Sequence, residues 1–118
     1  MDSKVKKALE TEKTIDITTI GRKTGNDCRI EIWFHHVDGK FYITGSPGQR
    51  DWLQNMVATP QFTFHLKQSV MADLDATARP MTDADERRAW FTPFVADSDR
   101  DLEAWVRESP LVEVTFAE

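Results

Sequence analysis

Two alternating runs, Arg29 to Val37 and Lys40 to Thr44, flank the dipeptide Asp38-Gly39, and no other stretch of the 118 residues restricts the fold as tightly. Asp-Gly between alternating segments predicts a tight turn, so the two runs are expected to pair as an antiparallel hairpin. Ile30, Ile32 and Phe34 then share one face of the first strand. Trp33 lies on the opposite face, which makes this strand apolar on both sides.

Hydrophobic spacing divides the rest of the chain. Ser3 to Thr11 sets Val5, Ala8 and Leu9 at helical spacing against Lys4, Lys6, Lys7 and Glu10, and predicts a short amphipathic helix. Thr14 to Ile20 is rich in Ile and Thr and alternates like a half-buried strand. Asp51 is placed to cap a helix with Trp52, Leu53, Met56 and Val57 on one side, ending before Thr59-Pro60. Gln61 to Lys67 and Val70 to Ala78 alternate as strands. Asp83 and Glu86 form a capping box for a helix that buries Trp90, Phe91 and Phe94. Ser98 and Asp99 are expected to start a second helix carrying Leu102, Trp105 and Val106, and Leu111 to Phe116 forms a last strand. Hairpin-linked strands with few intervening helices predict one α+β domain over residues 1–118, mainly antiparallel and curled into a barrel.

Charge narrows the ligands. Lys and Arg outnumber Asp and Glu nine to seven up to residue 50 and are outnumbered six to thirteen after it, giving a net charge of -5. An acidic surface argues against nucleic-acid binding, which depends on many phosphate contacts. A bound anion is expected near the locally basic first half. No apolar run has the length of a membrane span, the first helix has too few lysines for stable membrane anchoring, and a single cysteine, Cys28, fits a reducing compartment. A cytoplasmic protein is the expectation.

Two loops could hold an anion. Gly21-Arg22-Lys23-Thr24-Gly25, with Arg29 four residues beyond, combines glycines that let the backbone approach a ligand with three cations; a solvated basic turn is the other reading. Its glycine spacing is not that of a phosphate-binding Walker loop. Gly45-Ser46-Pro47-Gly48 leads into a helix N-terminus, where free amides suit an anion, and equally reads as a plain strand-to-helix connection. Both loops are expected at the same end of one sheet, which suits an extended polyanion. Trp52 and Asn55, one helical turn apart, are either a wall for a flat ring or ordinary core. His35 and His36 point to opposite faces of a strand, so one metal ion cannot take both, and no metal site is expected.

Ile17-Thr18-Thr19-Ile20-Gly21-Arg22-Lys23-Thr24-Gly25, Arg29, the Asp38-Gly39 hairpin, Gly45-Ser46-Pro47-Gly48 and Asp51-Trp52-Leu53-Gln54-Asn55 resemble the deazaflavin-dependent nitroreductase family. The resemblance runs over about residues 15–80. It implies a split β-barrel with flanking helices that binds the deazaflavin F420, with FMN as the alternative cofactor. Arg22, Lys23, Thr24 and Arg29 would hold phosphate and tail carboxylates, Ser46, Pro47 and Gly48 would line the ring, and Trp52 and Asn55 would complete the wall. The implied reaction is hydride transfer from reduced F420 to a quinone, enone or nitro compound, with a non-catalytic carrier of F420, FMN or haem as the alternative function. A homodimer that buries a sheet face is also implied. Pro47 stands where many relatives carry lysine, and the C-terminal tyrosine of nitro-reducing relatives has no counterpart. Tyr42, inside the hairpin, is the one tyrosine, so the acceptor's proton is expected from solvent or another group.

Overall fold

The computed structural model describes residues 1–117. The order is α1 (Ser3–Thr11), β1 (Thr14–Ile20), β2 (Asp27–Val37), β3 (Lys40–Thr44), α2 (Asp51–Ala58), β4 (Gln61–Leu66), β5 (Ala72–Pro80), α3 (Ala84–Val95), α4 (Leu102–Glu108) and β6 (Leu111–Phe116). The strands close in the order β1-β2-β3-β6-β5-β4, every pair antiparallel, as the expected barrel.

The hairpin forms as its turn demands. Asp38 and Gly39 have φ of 51° and 78°, the positive pair whose twist matches that of antiparallel strands. β2 then does double duty: residues 27–33 pair with β1, and only residues 34–37 pair with β3. Alternation sends Ile15, Ile17, Phe34, Ile43, Phe64 and Val112 into the barrel, where Phe34 meets Phe64 edge-on at 5.1 Å. A second cluster, including Phe91, Val95, Trp105 and Val106, packs α3 and α4 over the outer face of β3 and β6.

Several boundaries differ from expectation for local reasons. Asp51 is the first residue of α2 instead of its cap: Arg50 holds the cap position without a side-chain bond, and the Asp51 carboxylate is turned to Arg22 at 3.3 Å. α4 begins after Asp101, whose carboxylate accepts from the Glu103 amide. Ser98 instead closes α3, donating its hydroxyl to the Val95 carbonyl at 2.6 Å. β2 starts two residues early, at Asp27, because Gly21 and Asn26 already close the preceding turn with an N–H···O bond of 2.8 Å. β5 starts late, at Ala72, since Ser69 is held by Glu12 in the connection before it, and β4 stops at Leu66.

Candidate functional site

The barrel is split where β3 leaves β2. The Phe34 amide donates to the Lys13 carbonyl, on the β1 side. Backbone groups alternate in direction along a strand, so those of Asp27, Arg29, Glu31 and Trp33 face the other side, where no strand pairs with them. The unpaired edge of β2 lies on the side from which β3 departs, and β3 runs on into the loop 45–50 and then α2.

The β1–β2 loop is fastened to α2. The Arg22 amide and guanidinium both donate to Asn55 Oδ1, at 3.1 and 3.0 Å, and the guanidinium also reaches Asp51. Asn55 is buried, and its Nδ2 donates to the buried Thr19 hydroxyl at 3.1 Å. A polar residue on a buried helix face needs such partners, and Asn55 has them on both ends of its amide. Asn55 therefore positions Arg22, and Trp52, 7% exposed, belongs to the barrel core.

The other residues of interest divide in two. Thr24 accepts the Asn26 amide and shapes the turn, leaving Lys23 exposed with no ion-pair partner among the described residues. On the loop after β3, Arg50 donates to the Ser46 carbonyl at 3.0 Å, Pro47 is half-buried, and Gly48 takes a φ of 136° and donates its amide to the Glu108 carbonyl. Arg29 lies apart from both loops' contacts, on the outer face of β2, paired with Asp16 at 3.0 Å. Lys67 and then Arg29 hold the Asp16 carboxyl below its ordinary value.

Alternation aligns Arg29, Glu31, Trp33 and His35 along that outer face. A step of two residues advances about 6.6 Å, so the stripe runs roughly 20 Å from the guanidinium end to His35. There it enters a cleft of about 680 Å³ between α3 and the outer face of β2, β3 and β6. Trp33, His35, Tyr42, Trp90 and Phe94 give its aromatic lining. Arg79 of β5 forms the polar rim and pins α3 to the sheet through Glu86 at 3.1 Å and Glu113 at 2.8 Å. Burial pushes the His35 imidazole down and the Tyr42 phenol up, so both stay uncharged near neutral pH. His36 is exposed at the cleft's edge and stacks on Phe41 with ring centroids 4.9 Å apart, and no cluster of metal-ligating side chains occurs among the described residues. The sequence reading singled out neither Trp90 nor Tyr42 as cleft residues.

Cations at one end, an open strand edge and an aromatic cleft at the other lie along one face of the barrel, an arrangement with the chemistry to meet an anion and a flat ring. The sequence matches the family of F420H(2)-dependent quinone reductases over residues 1–114, and the chain belongs to that family. It is an oxidoreductase that uses reduced F420 as hydride donor to an electron-poor small molecule. Similar folds occur in a conserved hypothetical protein of Mycobacterium tuberculosis (12% identity, TM-score 0.70, 100% of this chain and 82% of the other). An FAD-binding protein of Mesorhizobium loti (12%, 0.66, 100% and 91%) and an F420 reductase (14%, 0.64, 96% and 93%) share it as well. Among the described residues no helix is long and apolar enough to cross a membrane.

Proposed function

We propose that the split between β2 and the loop after β3 holds F420, its acidic tail toward Arg22, Lys23 and Arg29, and that the α3 cleft holds the acceptor, a quinone-like planar molecule. The observation that carries this reading is the continuity of the Arg29–Glu31–Trp33–His35 stripe from the cations to the cleft. The residues present fit the cofactor. Lys23 is uncommitted, and the Arg22–Asp51 and Arg29–Asp16 ion pairs lie in exposed contacts that cost at most about 1 kcal/mol to exchange for a ligand phosphate or carboxylate, while the Arg22–Asn55 bond stays in place. Backbone N–H and C=O groups on the open edge can meet the polar rim of a flat heterocycle, and the reading assigns Ser46, Pro47 and Gly48, on the loop that follows β3, to the same ring.

When bound, F420 supplies the hydride. The chain's own part is orientation and exclusion of water. Asn55 fixes Arg22 so that the anion's position is set before binding, and Trp33, Trp90 and Phe94 give the acceptor an apolar slot. Pairing of two copies across the face that carries Trp33, 60% exposed, belongs to the same reading and is tested by sedimentation.

The binding test compares F420 with a deazaflavin lacking phosphate and acidic tail. Arg22→Ala and Lys23→Ala should each weaken F420 binding by about 1 to 3 kcal/mol, with little effect on the truncated compound. F420 affinity unchanged in both variants moves the tail elsewhere.

A further inference from the structure

Tyr42 sits in the middle of the cleft floor. Its cross-strand neighbours are His35 on β2 and Glu113 on β6, and Trp90 of α3 lies against it with ring centroids 5.4 Å apart. Its residue is buried, yet its hydroxyl is not among the buried polar atoms that lack a partner, and it makes no hydrogen bond among the described residues. The oxygen is therefore open to the cleft it lines. Tyr O–H groups usually find a partner when the ring is buried, so an open phenol here leaves a donor with an acidic proton for an incoming oxygen atom, beside the Trp90 indole N–H, which is buried without a partner. The charged neighbours are already committed to one another: Lys40 and Arg79 both pair with Glu113, and Arg79 with Glu86. The His35 ring is packed edge-on against Trp90 and Phe94, at 6.0 and 5.3 Å.

We propose that Tyr42 donates the proton that completes reduction of the acceptor, its hydroxyl meeting the acceptor's carbonyl oxygen on the cleft floor. The inference rests on the reductase reading above. A quinone receives a hydride, and with it two electrons, from the reduced deazaflavin. Its oxygen takes the proton as the Tyr42 O–H bond breaks and a new O–H bond forms, giving the hydroquinone. The deazaflavin is oxidised and gives up its ring N–H proton to solvent, and the tyrosinate recovers a proton from solvent through the cleft mouth. Glu113 of β6, Lys40 of β3, Arg79 of β5 and Glu86 of α3 bear on the phenol, with His35 of β2 and Lys13 ahead of β1 lining the same cleft. Burial first, and Glu113 next, keep the phenol protonated past its ordinary value of 10.0.

The test is Tyr42→Phe, which keeps the ring and removes the oxygen. With F420H2 and menadione, kcat should fall about a hundredfold, as for loss of a general acid, with KM and F420 affinity unchanged. The wild-type alkaline decline in kcat should vanish in the variant. A second readout needs neither cofactor nor turnover. Tyr42 is the one tyrosine, so its ionisation is read by ultraviolet difference absorbance in the cofactor-free wild-type protein, and saturating menadione should move that titration to higher pH. A wild-type kcat in Tyr42→Phe, or a titration that bound menadione leaves unmoved, overturns the role of Tyr42 while the reductase stands. A wild-type protein that does not oxidise F420H2 with menadione overturns the reductase reading itself, and the Tyr42 proposal with it.

Discussion

Replacing Asn55 with alanine should lower stability far more than its surface-loop partner suggests. Three hydrogen bonds end on this amide, two from Arg22 and one to Thr19. Water can reach the Arg22 side, so losing those two bonds costs little. The Thr19 hydroxyl, 2% exposed, has no such replacement and is left without its donor. An orphaned buried polar group costs about 1 to 3 kcal/mol, and with the Arg22 bonds the whole loss comes to about 2 to 3 kcal/mol. An unfolding entropy of about 2.1 cal/mol/K per residue gives this chain roughly 0.25 kcal/mol/K, so Tm should drop by about 8 to 12 °C. Thermal and urea melts of Asn55→Ala provide the measurement. A double-mutant cycle with Thr19→Val isolates the buried term, because Asn55→Ala should cost only about 1 kcal/mol once the hydroxyl is gone. A Tm within about 2 °C of wild type, or an equal loss in both backgrounds, would refute the reasoning.

Other outcomes follow from single sites. His35 is held below its ordinary value of 6.5, chiefly by burial and then by Lys13. Its depressed folded pKa means that its contribution to stability is complete above pH 6.5 and is lost as pH falls through the folded value, because the unfolded chain binds the proton first. Urea midpoints should decline below pH 6.5 more steeply in wild type than in His35→Gln; equal slopes would contradict this. Gly39→Ala should cost about 1 kcal/mol by urea melts, since φ is 78° and an added Cβ meets nothing within 4 Å, leaving only the left-handed backbone penalty. An unchanged midpoint would remove the turn from the list of fold determinants.

Much of the barrel was legible because period two and turn chemistry are local signals. Ile15, Ile17 and Thr19 alternate in the sequence and are buried in the fold, and Asp38-Gly39 takes the backbone its residues favour. The two-residue turn also sets Val37 opposite Lys40 and hence His35 opposite Tyr42, so the pair on the cleft floor could have been found by counting back from Gly39. What remained hidden depends on distant partners. Closure through β1 and β4 and the position of α3, which Arg79 sets through Glu86 and Glu113, join segments with no sequence pattern in common. Asn55 drew attention as a polar residue on an apolar helix side, but its partners, Thr19 and Arg22, lie more than 30 positions away.

Hydride transfer from F420H2 to an acceptor is tested most directly by anaerobic mixing of F420H2, menadione and a catalytic amount of the protein, with FMN and haem binding measured in parallel. Many turnovers of F420H2 oxidation per protein molecule, with binding selective for F420, are the predicted result. Tight F420 binding without turnover, which would mark a carrier, or selective binding of FMN or haem would contradict it.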